Sequence, residues 1–207
     1  MTNMHGFENN AALADVLAAR IAADLAAALD ERDRASLAVS GGSTPLTLFE
    51  SLAREPLDWS RVGITLVDER WVDEDHADSN AALVRSILLQ EEAAAASFIP
   101  LKTSAASPFE AQEAVAQQLE ALAWPLDVAV LGMGEDGHTA SFFPGAQTLG
   151  EALDPHGTRR CIAVQPPAAA HPRMTLALPI LLKARHCYLH ITGEAKLRVL
   201  EEALRPG

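Results

Sequence analysis

Asp127-Val128-Ala129-Val130-Leu131-Gly132-Met133-Gly134-Glu135-Asp136-Gly137-His138-Thr139-Ala140-Ser141 is an apolar run closed by a glycine-rich loop. The run is short, rich in β-branched residues and bounded by glycine, so it reads as a buried strand. Gly132, Gly134 and Gly137 let the chain turn tightly and approach a ligand closely. Asp136 and His138 then stand just past the C-terminal end of a strand, where ligands bind in open α/β sheets. His138 is therefore the candidate chemical centre, with Asp136 as its partner. The glycine spacing formally matches a dinucleotide fingerprint. However, no acidic residue ends the next strand and no long amphipathic helix follows the loop, so no nicotinamide cofactor is expected. The competing reading is a structural turn carrying a solvated histidine.

Upstream, Ser36-Leu37-Ala38-Val39 reads as a second strand, followed by Ser40-Gly41-Gly42-Ser43-Thr44-Pro45. Proline suits a first helical turn, so Thr44 or Ser43 is the expected cap of a helix through Leu46, Leu48, Phe49 and Leu52. The loop Gly41, Gly42, Ser43 and Thr44 is a candidate phosphate cradle, because loop N–H groups, hydroxyls and a helix start all favour an anion. It lacks the Gly-Lys-Ser/Thr ending of a P-loop, and a merely capped turn would look the same. Gly63-Ile64-Thr65-Leu66-Val67 is a third strand, ending in Asp68-Glu69-Arg70. Asp68 and Arg70 abut the strand end and are expected to face the cleft. Asp73, Glu74 and Asp75 read as a solvated loop, with Asp78 or Ser79 capping a helix from about Asn80 to Gln90.

The rest of the chain alternates between the same two kinds of element. Leu13, Leu17, Ile21, Leu25 and Leu29 form one apolar stripe on an N-terminal helix. Phe98-Ile99-Pro100-Leu101 looks like a short strand, and Ser107-Pro108-Phe109-Glu110 is a capping box opening a helix to about Ala123. Beyond the glycine loop, a polar loop reaches about Arg159 and Cys161-Ile162-Ala163-Val164 follows as a strand. Pro166, Pro167 and Pro172 make a stiff connector to Arg173-Met174-Thr175-Leu176. An apolar helix over Pro179–Ala184 and a last strand, His186–Ile191, complete the pattern before a final helix. His186 and His190 share a strand face by parity and read as structural or surface residues. The seven histidines show no metal-ligand spacing, so no metal is expected. Lys196 lies near the N-terminus of the final helix, the wrong end for the helix dipole, which is easier to explain with an anionic ligand. Alternation throughout implies an α/β fold with a mostly parallel sheet covered on both faces, over a single domain spanning 1–207.

A formal charge of −12 argues against nucleic acid or an anionic membrane as partner, since both need a basic face. It leaves a small anionic ligand open, because such a ligand responds to the local field. There is no signal pattern and no apolar run long enough to span a bilayer, so a cytoplasmic protein is expected. Cys161 and Cys187 are expected to be buried thiols, with a single disulfide left open.

Taken together, Ser40–Pro45, Asp68-Glu69-Arg70, Asp78-Ser79-Asn80, Gly132–Ser141 with Phe143-Pro144, Pro172-Arg173-Met174-Thr175, and Gly193 with Lys196 resemble the 6-phosphogluconolactonase family, related to glucosamine-6-phosphate deaminases. The pieces occur in family order over nearly the whole chain. The resemblance implies a three-layer α/β/α modified Rossmann-like domain that hydrolyses 6-phosphoglucono-δ-lactone in the pentose phosphate pathway, without a cofactor. On that reading His138 is the general base, and Asp136, Arg70 and Asp68 complete the catalytic group. Gly41, Gly42, Ser43, Thr44, Lys196 and Arg173 bind the phosphate of a small phosphorylated sugar lactone. The expected assembly is a monomer or weak homo-oligomer. Related deaminases carry a glutamate just before the proline where this chain has Phe143, and an aromatic residue where it has Arg70. A sugar-phosphate deaminase or isomerase is therefore the runner-up, followed by a non-catalytic sugar-phosphate sensor. The loop after Arg70 is more acidic and lacks the proline often found there, a departure from the family pattern that bears on local loop shape more than on activity.

Overall fold

The structure, a computed structural model, describes residues 3–205. Its strands in chain order are β1 (Ala35–Val39), β2 (Val62–Leu66), β3 (Asp68–Arg70), β4 (Ser97–Ile99), β5 (Val128–Leu131), β6 (Cys161–Val164), β7 (Arg173–Leu176) and β8 (His186–Leu189). Five of them form a parallel sheet in the order β4-β2-β1-β5-β8, with Val39 opposite Leu66 on one side and Val130 on the other. β1 and β2 are buried from end to end, which is why they read as continuous apolar runs without alternation: both sheet faces are covered.

The helices are α1 (Asn10–Glu31), α2 (Leu46–Leu52), α3 (Asn80–Leu83), α4 (Pro108–Gln118), α5 (Leu149–Ala152), α6 (Leu178–Leu182) and α7 (Glu194–Ala203). α1 packs on α2, β1 and β5, and α4 packs on β6 and β7. The buried line of α1 runs through Ala14, Ala18, Ile21, Ala22, Leu25, Ala28 and Leu29, with Leu13 and Leu17 half-buried at its edge. Small alanines let the helix axis approach its neighbours closely, so the seam falls on them and not on the leucines alone. Ser79 and Ser107 cap α3 and α4 through their hydroxyls, as expected. The helix expected to run from Asn80 to Gln90 instead widens after Leu83, where the Leu89 N–H reaches back to the Val84 carbonyl at 2.9 Å.

The strand β5 is pinned at its base by a buried carboxylate. Asp127 accepts from the Ser36 N–H at 2.8 Å, pairs with Arg32 and lies 3.7 Å from Arg185 Nε. Its charge is thus compensated where it would otherwise be costly.

Three strands do not join the parallel sheet. β3, β7 and β6 form a separate antiparallel sheet in that order, with Arg70 opposite Arg173 and Ala163 opposite Met174. The mostly parallel sheet expected from the alternation is present, and this smaller antiparallel sheet is an addition to it. A parallel return needs a crossover of about a dozen residues or more, and residues 165–172 between β6 and β7 carry no helix, so the two strands pair antiparallel. Val67 joins the two sheets: its N–H donates to Val39 O and its carbonyl accepts from Leu176 N–H, both at 2.8 Å. Cys161 is buried and its thiol is pushed up to about 12 by burial. Cys187, by contrast, is exposed on the edge strand β8, and both cysteines are free. Among the described residues, no helix is long and apolar enough to cross a membrane.

Candidate active site

β1 lies between β2 on one side and β5 on the other, so the chain leaves its C-terminal end in one direction and returns in the other. That divergence opens a crevice, as at the switch points of other open α/β sheets. The Ser40 N–H bonds Val130 O and the Gly132 N–H bonds Ser40 Oγ, both at 3.0 Å, fastening the two strand ends at the floor. The cleft above holds about 250 Å³ and is lined by the loop Ser40–Pro45, the loop start Gly132–Gly134, Asp68, Arg70, Asn80, His138, His190 and Lys196.

The glycine loop is closed on itself. Gly134 N–H donates to His138 O at 2.8 Å, Gly137 N–H to Gly134 O at 3.1 Å, and Thr139 Oγ1 to Gly132 O at 2.8 Å. Gly137 has φ +83°, a conformation glycine adopts without strain. A Cβ on Gly134 would stand 2.5 Å from both Asp136 Oδ1 and His138 Nδ1, so only glycine leaves room for that pair. His138 Nδ1 lies 2.5 Å from Asp136 Oδ1, and the ring packs against Phe143 with centroids 4.3 Å apart. Partial burial pushes the Asp136 carboxyl up, but its bonds to the His138 ring and N–H outweigh this, and its pKa is lowered.

β3 presents Asp68 and Arg70 on one face and Glu69 on the other. Asp68 Oδ2 accepts from Ser141 Oγ at 2.6 Å, which occupies that hydroxyl. Glu69 is 1% exposed and accepts from the N–H groups of Arg70, Asn80 and Ala81 at 2.7–2.9 Å. Burial raises its pKa in spite of these bonds. Glu69 thereby ties β3 to the start of α3 and sets Asn80, whose Nδ2 donates to Asp68 O at 2.9 Å. Arg70 donates to Asp78 O at 2.6 Å, and the buried Arg173 donates to His171 O at 2.8 Å. Two arginines directly opposite on antiparallel strands repel, an arrangement that an anion between or beside them relieves. Burial first, then Arg70, lowers the pKa of Arg173.

In the loop Ser40–Pro45, Gly42 has φ +94°. Pro45 is the residue before the helix and not its first turn, and no side chain caps α2. The expected cap from Thr44 or Ser43 is thus corrected: the proline fixes the entry of the chain, and the hydroxyls remain available to the cleft. Lys196 Nζ lies 3.5 Å from Thr44 Oγ1, reaching across from the first turn of α7.

The family described as glucosamine-6-phosphate isomerases/6-phosphogluconolactonase matches residues 8–207. The chain belongs to this family. A 6-phosphogluconolactonase of Pseudomonas aeruginosa is 52% identical over 91% of this chain and 79% of its own length. That of Rhizobium meliloti is 51% identical over 99% of this chain and 88% of its own. The crystal structure of a 6-phosphogluconolactonase from Shewanella baltica superposes with a TM-score of 0.94 at 46% identity, covering 97% of this chain and 85% of the other. A monomeric glucosamine-6-phosphate deaminase shares the fold with a TM-score of 0.77 at 18% identity.

Of the residues singled out from this family's pattern, His138, Asp68, Arg70, Gly41, Gly42, Ser43, Thr44 and Lys196 all line one cleft. Asp136 stands behind His138, with its side chain 57% exposed, and Arg173 lies on β7 with its guanidinium 5.9 Å from the Phe143 ring centre. Neither of these two is part of the cleft wall. His190, read from sequence as structural or surface, is 4% exposed and lines the cleft. Its Nε2 has no protein partner among the described residues, and burial and then Lys196 lower its pKa. Parity puts His190 on the same face as His186 without saying which way that face looks; the neighbouring β5 end, whose Leu131 O accepts from the His190 N–H, makes it part of the cleft.

Proposed function

We propose that the chain hydrolyses 6-phospho-D-glucono-1,5-lactone to 6-phospho-D-gluconate, the lactone-opening step of the oxidative pentose phosphate pathway. The observation that carries this reading is that His138, held by Asp136 at 2.5 Å, lines the same cleft as the Gly41–Thr44 loop and Lys196. A general base and an anion cradle facing each other suit a substrate that carries a phosphate at one end and an ester carbonyl at the other.

With Nδ1–H given to Asp136, Nε2 of His138 holds the lone pair and accepts a proton from water as it attacks the lactone carbonyl. Asp136 holds the ring in that tautomer and favours the imidazolium that forms. Arg70 faces the developing oxyanion, where a fixed cation in a poorly hydrated site is effective. Asp68, oriented by Ser141, receives the sugar hydroxyls. When the tetrahedral intermediate collapses, the C1–O bond to the ring oxygen breaks and His138 returns its proton to that oxygen. The products are the open-chain acid and the regenerated base. A δ-lactone is a strained cis ester, so this route needs neither a covalent intermediate nor a metal. Phosphate oxygens rest on the N–H groups and hydroxyls of Gly41–Thr44, with Lys196 supplying charge and Arg173 adding to the positive field from behind Phe143.

Phe143 favours the lactonase over the deaminase reading. Its ring packs on His138 and supplies no acid or base for ring opening of an amino sugar. The test is acid release from freshly prepared 6-phosphoglucono-δ-lactone against its spontaneous rate, with unphosphorylated glucono-δ-lactone alongside. Acceleration confined to the phosphorylated substrate is the expected result. No acceleration, with turnover of glucosamine 6-phosphate, would replace the reading by the deaminase.

A further inference from the structure

Outside the cleft, the loop after β3 meets the connector before β7. The loop brings His76 and Asp78, and the connector brings His171. Nε2 of His171 lies 3.1 Å from Asp78 Oδ2, and Nδ1 of His76 lies 3.9 Å from the same oxygen. The two rings meet edge to face with centroids 5.2 Å apart. One donor atom from each of the three residues lies within 4.8 Å of the other two. None of the three lines the cleft.

We propose that His76, Asp78 and His171 bind a divalent transition-metal ion of the zinc class at a site separate from the reaction centre. Two imidazole nitrogens and one carboxylate oxygen are a ligand set for zinc, cobalt or nickel, with water completing the coordination. Magnesium and calcium, which take oxygen donors, are disfavoured by it. The hydrogen bond between His171 and Asp78 would by itself account for two of the residues but not for the third. His76 is held beside them by its own turn: its N–H donates to Asp73 O, its carbonyl accepts from Ser79 N–H, and its Nδ1 accepts from Asp78 N–H, all at 3.0 Å. Coordination through Nδ1 exchanges that last bond for the metal, and the ring needs no new backbone conformation to do so.

The ion clasps two segments that are far apart in sequence, and each of them holds an arginine. Asp78 O accepts from Arg70, and His171 O accepts from Arg173. The bound metal therefore steadies both arginine-holding carbonyls and takes no part in bond breaking.

The inference does not rest on the lactonase reading, because metal binding is measured directly. The chelator-treated full chain is titrated with Zn2+ by calorimetry and with Co2+ by visible absorption, in the wild type and in His76→Ala, His171→Ala and Cys187→Ser. Thermal melting of the metal-free proteins shows whether each variant folds, and His76→Gln and His171→Gln replace any alanine variant that does not. The expected result is one equivalent bound by the wild type and Cys187→Ser, with affinity about tenfold or more weaker in either histidine variant. Zn2+ should also raise the melting temperature of the wild type and of Cys187→Ser, and by clearly less in either histidine variant. No saturable binding to the wild type, binding unchanged in both histidine variants, or binding lost in Cys187→Ser would each overturn the proposal.

Discussion

His138 and Asp136 set the expected chemistry by one short contact, so their variants separate the base from its support. His138→Ala should lower kcat roughly 100-fold or more, the usual scale for loss of a general base. Near-normal turnover in a folded variant would remove His138 from that role. Asp136→Asn should lower kcat by about tenfold or more, but by less than loss of the base itself, because the carboxylate only orients and supports the imidazole. The sign of its pH effect follows from the lowered pKa. Whatever the ionised carboxylate contributes is fully present above the ordinary carboxylate range and is lost as pH falls through the lowered value. The difference between wild type and Asp136→Asn should therefore stay constant from neutral pH down to that range and shrink only below it. A difference that vanishes near neutral pH would contradict this assignment.

At the scale of elements, the strand-to-helix junction depends on one buried carboxylate. Glu69 accepts three backbone N–H groups from β3 and α3. Glu69→Gln puts an amide NH2 against one of those donors and should destabilise the fold by about 1–3 kcal/mol, read from denaturant unfolding. Because burial raises the pKa of Glu69, its favourable contribution is complete below the ordinary carboxylate value and declines as pH rises through the raised one. Stability of Glu69→Gln should lack that decline, so the gap between the two proteins should be widest at low pH and narrow as pH rises across this window. In the loop after β5, Gly134→Ala should spare the sheet and lower kcat, because the new Cβ displaces the His138–Asp136 pair. Across the cleft, Lys196→Ala should mainly raise KM. Unchanged binding of 6-phosphogluconate would take Lys196 out of the phosphate site.

The whole molecule carries a formal charge of −12, yet the proposed ligand is an anion. Attraction must then come from a few cations within reach of the cleft, against a repulsive background. Both effects act through solvent over the Debye length, about 8 Å at physiological ionic strength, so added salt tests their balance. If the local cations dominate, KM for the phosphorylated lactone should rise with salt while kcat holds. A KM that falls with salt would mean that the overall negative field governs approach. The parallel sheet and its flanking helices were legible in the chain because strand length, caps and prolines act over a few residues. The antiparallel trio β3-β7-β6 was not, since nothing local to Cys161–Val164 tells which distant edge it will pair with.

The sequence by itself determined the local chemistry: a strand ending in Gly132, a loop that only glycine can close around Asp136 and His138, and hydroxyls beside a helix start. Those features depend on backbone sterics and on neighbours within a few positions. Tertiary structure alone decided what meets in the cleft. Arg70 faces Arg173 because β3 and β7 pair, and His190 enters the cleft because β8 lies beside β5. Asp78 meets His171 because a loop and a connector cross outside it. Each of these contacts joins segments far apart in the chain, and their pairing is set by which apolar surfaces bury one another, a property of the folded core that no short window of sequence contains.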